Sequence, residues 1–285
     1  MSRISHTPVM QRRQKEGEQK GNPRMAGHGA ASQPSSRQRR LLDHLQSRSY
    51  LDVQQVCALL EVSEATARRD LAELETRGLL RRTHGGALPL LQITQDFPND
   101  ERLWRNADEK ARIGKVAADL VAEGDAVFLD AGTTTLHVAR RLARRADLTF
   151  ITNGAGILAC LSEARAERLF AVGGAYCAVN NSMTGPIAAD TIRRFNVDKL
   201  FLSVSAVDPA RGQISISTPD LALAQQAMIE IAQQVIVVAD RSKFNRNALS
   251  VIAPLSAVDR IVTDAACRDL LEDAPEPLLR KMIFA

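Results

Sequence analysis

A group of polar residues that could bind an anion follows one of the short apolar runs in this chain. Asp130-Ala131-Gly132-Thr133-Thr134-Thr135 comes directly after the apolar run 126–129 and opens a helical stretch. Glycine permits close approach of the backbone, three hydroxyl groups can donate hydrogen bonds, and a helix N-terminus favours an anion. These residue types at this spacing predict a phosphate-binding loop.

Residues of the same kinds follow other apolar runs further along the chain. Thr152-Asn153-Gly154 follows the second run, Gly173-Gly174 the third, and Asp240-Arg241-Ser242-Lys243 the fifth. An acid, hydroxyls, an amide and an ammonium group at one sheet edge would suit a small polyhydroxylated anion such as a sugar phosphate. The alternative is ordinary turn chemistry, since strand-to-helix turns use the same residue types. We predict a ligand site formed by Asp130, Gly132, Thr133, Thr134, Thr135, Thr152, Asn153, Gly173, Gly174, Asp240 and Lys243.

Strand-like and helical stretches alternate through this part of the chain. Apolar runs predict strands at 126–129, 148–152, 168–172, 199–204, 235–239 and 260–262, and helices at 108–121 and near 134–145, 155–163, 186–195 and 220–233. Such alternation is typical of a doubly wound, mainly parallel α/β sheet. Ligands of such sheets bind beyond the carboxyl ends of the strands, which is where the polar residues lie.

Three short helices are predicted earlier in the chain. An apolar stripe marks the first, at 37–46, and Asp52 can cap a second. Ser63 can cap a third helix, Glu64–Thr76, and Gly78 is well placed to end it. Two short helices joined by a tight turn are typical of a helix-turn-helix motif.

The third helix has an apolar face and a small, cationic face. At about 100° per residue, one narrow arc holds Ala67, Leu71 and Leu74, and the opposite side holds Ala65, Thr66 and Arg69, with Arg68 on the flank. The second face suits the major groove of DNA, although an amphipathic helix with ordinary exposed arginines is an equal alternative. We expect Asp70, at the edge of the core, to pair with a neighbouring arginine.

A short hairpin with a Gly-Gly bend is predicted at 79–87, and its basic residues suit a wing on the DNA backbone. The run 62–71, with Leu74, Gly78, Leu79 and His84-Gly85-Gly86-Ala87, resembles the winged helix-turn-helix signature of DeoR-type bacterial transcriptional regulators. Ala67 stands where that family usually has a bulkier aliphatic residue. We predict a DNA-binding site formed by Ser63, Ala65, Thr66, Arg68, Arg69, Arg81, Arg82 and His84.

The resemblance extends over about residues 37–265. The residues 130–135, Thr152-Asn153-Gly154, Gly173-Gly174, Gly185-Pro186, Asp198-Lys199 and 240–244 look like motifs of the DeoR-type C-terminal domain. The resemblance implies a domain related in fold to ribose-5-phosphate isomerase that senses a phosphorylated sugar or polyol. It also implies a repressor whose effector loosens its hold on double-stranded operator DNA, and a regulator of carbohydrate or polyol catabolism.

Two departures from the family lie near the expected pocket. The family often has glycine where Ser203 and Ala206 stand, and its Glu and Lys positions appear here as Leu221, Leu223 and Gln225. The effector is therefore expected to differ from the family's commonest type.

The sequence also allows three other interpretations. Gly154-Ala155-Gly156-Ile157-Leu158-Ala159 matches a dinucleotide-binding pattern, but the acid expected about 20 residues later is missing. An isomerase-like enzyme could use Asp130, Asp240 and Lys243 in acid–base roles. A DNA-binding protein without an effector is the third alternative. We predict a regulator with no catalytic residue, metal ligand or cofactor.

Composition agrees with this interpretation. The 285 residues carry a net charge of +4, and residues 1–36 alone carry six basic and two acidic side chains. That segment is too poor in large apolar residues to fold, so we predict a disordered basic tail, either an arm on DNA or a dispensable extension. The absence of an apolar run of about 18 residues predicts no membrane association. Four scattered cysteines fit a reducing, cytoplasmic location.

The predicted architecture has two domains. A disordered tail (1–36) precedes a winged helix-turn-helix domain (37–90), a linker (91–106) and an α/β sensor domain (107–285). Because helix-turn-helix proteins generally read two half-sites, we expect a homodimer or homotetramer.

Overall fold

The computed structural model of the chain describes residues 34–46, 51–83, 85–89, 99–272 and 274–285. The tail predicted for residues 1–36 lies outside this range except for its last three residues, and Ser36 begins the first helix.

Three helices and a three-stranded antiparallel sheet form the first part of the fold. The helices are α1 (Ser36–Gln46), α2 (Val53–Leu60) and α3 (Glu64–Thr76), and the strands are β1 (Leu51–Asp52), β2 (Leu80–Thr83) and β3 (Gly86–Pro89). The strand order is β1-β3-β2, and β2 and β3 form the predicted hairpin. The three predicted helices and the hairpin are all confirmed.

Capping side chains fix where α2 and α3 begin. The Asp52 carboxylate accepts a hydrogen bond from the backbone N–H of Gln55, and the backbone N–H of Asp52 donates to Gln55 Oε1. The Ser63 hydroxyl accepts from the backbone N–H of Thr66. Gly78 follows α3 at φ +66°, a conformation that glycine adopts without a steric penalty. The capping residues predicted from the sequence are thus confirmed.

An ion pair ties α1 to α3. Arg37 donates from Nε to Asp70 Oδ2 at 2.7 Å and from a terminal nitrogen to Oδ1 at 3.0 Å. Asp70 is 3% exposed, and next to it the apolar face of α3 packs against Leu41 and Leu45 of α1 in one buried cluster. The predicted pairing of Asp70 with an arginine is confirmed, and it joins α1 to α3.

The second part of the fold contains seven α-helices and twelve strands within the described range, with three 3₁₀-helices at Arg241–Lys243, Leu255–Ala257 and Ala265–Leu271. The helices are α4 (Asn99–Trp104), α5 (Ala107–Ala118), α6 (Thr133–Leu142), α7 (Ala155–Glu163), α8 (Gly185–Ile192), α9 (Pro219–Glu230) and α10 (Glu276–Leu279). The strands are β4 (Ala126–Leu129), β5 (Thr149–Thr152), β6 (Leu169–Ala171), β7 (Ala175–Cys177), β8 (Ser182–Thr184), β9 (Val197–Leu202), β10 (Ala206–Asp208), β11 (Gln213–Ile216), β12 (Ala232–Val238), β13 (Ser250–Pro254), β14 (Arg260–Thr263) and β15 (Met282–Phe284).

Seven of these strands form one parallel sheet in the order β15-β14-β12-β9-β4-β5-β6. The chain enters at β4, builds β5 and β6 on one side, and then returns to build β9, β12, β14 and β15 on the other. The strand order therefore reverses between β4 and β9. The predicted doubly wound α/β fold is confirmed, and such a reversal is the usual place for a ligand.

Alternate side chains of the strands pack into two apolar cores, one on each face of the sheet. Val127 and Leu129 pack with α5, α6 and α7, whereas Phe128 packs with α8 and α9. A strand buried on both faces is apolar at every position. This explains why the central strands appear in the sequence as continuous apolar runs.

The structure adds elements that the sequence pattern did not predict. Helix α4 lies within the segment interpreted as a linker, where the acidic side chains of Asp100 and Glu101 favour the helix N-terminus. Strand β15 is short, and β10, β11 and β13 form a separate antiparallel sheet. Short strands carry too few residues for their periodicity to be recognised.

Gly114 lies where α5 crosses α6 without room for a side chain. A Cβ atom there would stand 2.6 Å from His137 Cβ and 2.8 Å from the His137 carbonyl carbon. We expect Gly114→Ala to destabilise the protein, because overpacking costs about 1–3 kcal/mol and offsets the ~1 kcal/mol that alanine gains over glycine in a helix.

Urea unfolding measures this effect. Gly156→Ala in α7 is the matched control, since the nearest atom to its Cβ is Asn181 Nδ2 at 3.4 Å. Equal stability of the two variants would contradict the close packing of α5 on α6.

Candidate functional site

The solvent-facing side of α3 carries most of the predicted DNA-binding residues. Ala65, Arg68 and Arg69 are exposed and Thr66 is half-buried, while Ala67, Leu71 and Leu74 are at most 1% exposed. The Arg68 guanidinium donates to Glu64 Oε1 at 2.6 and 2.9 Å, whereas Arg69 makes no salt bridge within the described residues. Of these two arginines of α3, Arg69 is therefore the one without an ion pair among the described residues.

The hairpin β2–β3 packs against α3 through Arg82. The backbone N–H of Arg82 donates to Glu75 Oε1 at 2.9 Å, and its guanidinium lies 3.8 Å from Glu75 Oε2. This contact joins the hairpin to the C-terminal end of α3. Arg81 lies in β2, while its side chain and the whole of His84 are outside the described residues.

A cavity opens at the sheet edge where β4, β9 and β12 end, next to the reversal of strand order. Asp130, Ser203 and Asp240 follow those three strands, and all of them line the cavity. The structure brings six of the predicted ligand-site residues to its wall: Asp130, Gly132, Thr133, Thr134, Asp240 and Lys243.

Asp130 is the centre of a buried hydrogen-bond network. Its Oδ2 accepts from the Ser203 backbone N–H at 3.1 Å, the Ser203 hydroxyl at 2.7 Å and the Gln225 amide at 2.8 Å. Burial raises the pKa of Asp130, and the hydrogen bonds from Ser203 and Gln225 oppose that rise. Two of the residues that depart from the family pattern, Ser203 and Gln225, therefore hold the Asp130 carboxylate in place.

Gln225 presents one unused acceptor in the cavity wall. Its amide nitrogen donates to Asp130 Oδ2 and to the Ser203 carbonyl at 2.7 Å, which fixes the orientation of the amide. Its Oε1 is buried and has no hydrogen-bond partner among the described residues. Since a buried acceptor without a partner is costly, this atom suits a ligand hydroxyl.

Asp240 occupies the opposite side of the cavity. Burial by itself would raise its pKa, but the ammonium groups of Lys110 and Lys243 and hydrogen bonds from Ser242 outweigh burial, so the pKa of Asp240 lies below its usual value. Its Oδ1 also accepts from Asn106 Nδ2 at 3.0 Å. Asp240 thus links the end of β12 to the corner between α4 and α5.

Four cations of the cavity were not predicted from the sequence. Arg102, Arg105 and Lys110 come from the α4–α5 corner, and Arg246 comes from the loop after β12. Three of them fall within the nine-residue stretch 102–110, and this clustering of basic residues is the feature of the sequence that could have indicated them. With Lys243, five cationic side chains line the cavity against two carboxylates, a balance that suits a phosphate dianion.

The remaining predicted ligand-site residues lie outside the cavity wall and stabilise the loops. The Thr135 hydroxyl donates to the Gly132 carbonyl, the Thr152 hydroxyl donates to the Leu129 carbonyl at 2.7 Å, and Asn153 Oδ1 accepts from the Ala131 N–H at 3.0 Å. Gly173 and Gly174 follow β6 at the sheet edge. Thr135, Thr152 and Asn153 therefore hold the backbone of residues 129–132.

The dinucleotide-like pattern 154–159 has a structural role. The Gly154 N–H donates to the Thr152 hydroxyl at 3.0 Å, and the Ala155 N–H donates to the Asn181 carbonyl at 3.0 Å. A Cβ on Gly154 would stand 3.0 Å from Ala131 Cα. The amides at this helix start therefore hold neighbouring loops together.

Lys110 is a buried cation whose titration should make the stability of the fold depend on pH. Its ammonium group donates to the carbonyls of Arg102 and Arg105, and burial lowers the pKa of Lys110 from 10.5 to about 8. The charged form is thus disfavoured in the folded state. We expect stability to rise as the pH rises from about 8 to 10.5, by up to about 3 kcal/mol, because the folded protein releases this proton before the unfolded chain does.

Urea unfolding at several pH values between 7.5 and 10.5 measures this rise. Lys110→Met is the control and should show a smaller increase over the same range. An identical pH dependence in the two proteins would contradict a buried ammonium group at this position.

Neither a membrane-spanning helix nor a metal-binding cluster of side chains is found in the part of the chain that the structure describes. None of the helices there is long and apolar enough to cross a membrane. The same residues contain no cluster of three or more histidine, cysteine or acidic side chains that could hold a metal ion.

A winged helix-turn-helix followed by a doubly wound domain with an anion-suited cavity defines a class of ligand-responsive transcriptional regulators. Residues 37–90 match the profile of the DeoR-like helix-turn-helix domain, and residues 105–265 match that of the DeoR C terminal sensor domain. The chain therefore belongs to the DeoR family and is a DNA-binding transcriptional regulator.

Curated relatives agree with this assignment. The chain is 47% identical over 249 residues to the transcriptional repressor AccR of Agrobacterium fabrum, covering 87% of this chain and 96% of AccR. It is 34% identical to the regulator GlpR of Haloferax volcanii (85% and 95% covered) and 34% identical to the repressor GlcR of Bacillus subtilis (79% and 86% covered). These relatives are regulators, which disfavours the alternative of an isomerase-like enzyme.

Among solved structures, ribose 5-phosphate isomerase A from Methanocaldococcus jannaschii is similar to part of this chain. Its TM-score is 0.38 and its sequence identity 17%, with 49% of this chain and 55% of the isomerase covered. A likeness this distant carries no argument about activity.

Proposed function

We propose that the protein represses genes of carbohydrate or polyol catabolism and releases its operator when a phosphorylated sugar or polyol binds the cavity. The observation that carries this proposal is the cavity itself, in which five cationic side chains surround buried acceptors at the reversal of strand order. Cations suit a phosphate group, and the Asp130 carboxylate and Gln225 Oε1 suit hydroxyl groups.

On the DNA side, we assign α3 to the major groove. Arg69 is the residue we assign to base reading, Ala65 and Thr66 allow close approach, and Ser63 and Arg68 lie where the helix start meets phosphate. Arg81, Arg82 and His84 of the hairpin are assigned to the DNA backbone, since arginine and histidine beside a Gly-Gly bend suit a wing.

On the effector side, the residues divide into contacts and supports. Asp130, Gly132, Thr133, Thr134, Asp240 and Lys243, with the newly found cations, are proposed to contact the ligand. Thr135, Thr152, Asn153, Gly173 and Gly174 are proposed to act by positioning the loops, as their backbone hydrogen bonds and their place at the sheet edge suggest.

We further propose that the protein acts in the cytoplasm as a homodimer or homotetramer. Operators recognised by helix-turn-helix proteins generally contain two half-sites, so one chain would contact half of the operator. Light scattering of the purified chain measures the oligomeric state, and a monomer at working concentration would contradict this part of the proposal.

A thermal-shift panel tests the effector class. We expect a phosphorylated pentose, hexose or polyol to raise the unfolding temperature, because a ligand at 100 times its dissociation constant adds roughly 2.7 kcal/mol to stability. The matched unphosphorylated sugars are the controls and should have no effect at the same concentrations. Stabilisation by neither set, or by both equally, would contradict a phosphate-binding cavity.

A further inference from the structure

The side chain of Gln225 is held in one orientation in the cavity wall. Gln225, on α9, is 2% exposed, and its Nε2 donates to Asp130 Oδ2 at 2.8 Å and to the Ser203 carbonyl at 2.7 Å. An amide nitrogen carries two hydrogens, so both are used in these contacts. A flipped amide would place Oε1 against a carboxylate and a carbonyl oxygen, which repel it. Oε1 is therefore held away from Asp130 and Ser203.

Two uncharged side chains of the cavity wall have hydrogen-bonding capacity to offer a ligand. Gln225 Oε1 and the Ser205 hydroxyl oxygen are both buried, and neither has a hydrogen-bond partner among the described residues. Both side chains line the cavity, and Ser205 lies two residues beyond Ser203. A buried polar atom without a hydrogen bond is costly, so binding a group that supplies one is favourable. Gln225 Oε1 can only accept, so that group must be a donor.

The charges of the cavity wall are unevenly distributed. Its cations come from the α4–α5 corner and from the loop after β12. The lining residues from the end of β9 to α9 are all uncharged: Ser203, Val204, Ser205, Ile216, Leu221 and Gln225. The charged group that Gln225 contacts is the Asp130 carboxylate. An anionic group of a ligand at Gln225 would therefore meet acceptors and a negative charge, whereas a hydroxyl group could donate to Oε1.

We propose that Gln225 determines which phosphorylated ligands the cavity accepts. Its Oε1 accepts a hydrogen bond from an uncharged hydroxyl group of the ligand, and Ser205 provides a second polar contact. The cavity therefore binds a sugar or polyol that carries a single phosphate, and it excludes one with a second phosphate or a carboxylate at this position. This inference rests on the proposed function and narrows its ligand class.

Substitutions of Gln225 test this selectivity. Gln225→Met keeps the length of the side chain and removes the acceptor without adding a charge. Gln225→Lys can still donate to Asp130 and Ser203, but it removes the acceptor and adds a cation. Gln226→Lys is the matched control, because Gln226 is the next residue of α9, is exposed and is not among the lining residues. Thermal unfolding without ligand shows whether each variant is folded.

Calorimetry on the full chain compares pairs of probes that differ by one anionic group. The pairs are glucose 6-phosphate with 6-phosphogluconate, fructose 6-phosphate with fructose 1,6-bisphosphate, and ribulose 5-phosphate with ribulose 1,5-bisphosphate. Wild type and Gln226→Lys should bind the first member of a pair at least about tenfold more tightly than the second. Gln225→Met should bind the first member at least about fivefold more weakly than wild type does. Gln225→Lys should lose or reverse the preference.

The results that would contradict selection by Gln225 differ from those that would contradict the proposed function. Equal affinity of wild type for both members of the pairs, or the wild-type preference retained in both Gln225 variants, would overturn the role of Gln225 and leave the proposed function intact. The same shift in Gln226→Lys as in Gln225→Lys would also overturn it. No binding of these probes or of any sugar phosphate in the thermal-shift panel would contradict the proposed function, and this inference with it.

Discussion

Replacement of Arg69 by alanine is expected to lower operator affinity at least tenfold. An arginine that reads a base contributes about 1–3 kcal/mol, and a dimeric repressor would lose the contact in both half-sites. Arg69 is exposed on the outer face of α3 without a salt bridge in the described part of the chain, so its loss should leave the fold unchanged. Gel shifts on DNA from around its own gene measure the effect.

Arg144→Ala is the matched control for Arg69→Ala. Arg144 is an exposed arginine of the sensor domain, so its removal takes away the same charge at a distance from α3. Wild type and the control should bind alike, and both should weaken steeply as salt is raised. If the Arg69→Ala and Arg144→Ala variants bound the operator with equal affinity, α3 would not be the helix that recognises the DNA sequence.

Replacement of Asp130 by asparagine is expected to abolish most of the response to a phosphorylated sugar. The new side chain can still accept from Ser203 and Gln225, as Oδ2 does now, but it places an amide donor where the cavity offers a carboxylate oxygen. Hydrogen bonds to charged groups contribute about 1.5–3 kcal/mol, so ligand affinity should fall at least about tenfold. Calorimetry with the ligand found in the thermal-shift panel measures this loss.

Operator binding without ligand provides the internal check on this variant. It should be unchanged in Asp130→Asn, because Asp130 lies in the sensor domain. Asp208→Asn is a matched control, since Asp208 is another buried carboxylate of that domain but does not line the cavity. If Asp130→Asn kept the wild-type ligand affinity, the proposal that Asp130 contacts the ligand would be contradicted.

Much of the fold follows from local signals in the sequence. Asp52 and Ser63 cap α2 and α3 as their residue types indicate, and the run 126–129 forms β4 with unchanged bounds. Helix α4 was missed because only six residues form it and a proline-containing segment precedes it. Helices this short depend on tertiary contacts more than on their own sequence.

The cavity could be predicted only in part. The acid and hydroxyl residues that follow the strands were recognisable, because parallel strands end at one edge of the sheet. Arg102, Arg105 and Lys110 come from outside that pattern, and only the folding of the α4–α5 corner over the sheet edge brings them to the cavity. In the sequence, Ser203 and Gln225 stand out only as departures from the family pattern. That both hold Asp130 can be seen only in the structure.

The most direct measurement is the affinity of the full chain for a labelled duplex from upstream of its own gene, compared with a shuffled duplex of the same composition at physiological salt. The account predicts that the first is bound about 10³-fold more tightly or better, and that a phosphorylated sugar removes this preference. Equal affinity for the two duplexes, with or without the sugar, would contradict it.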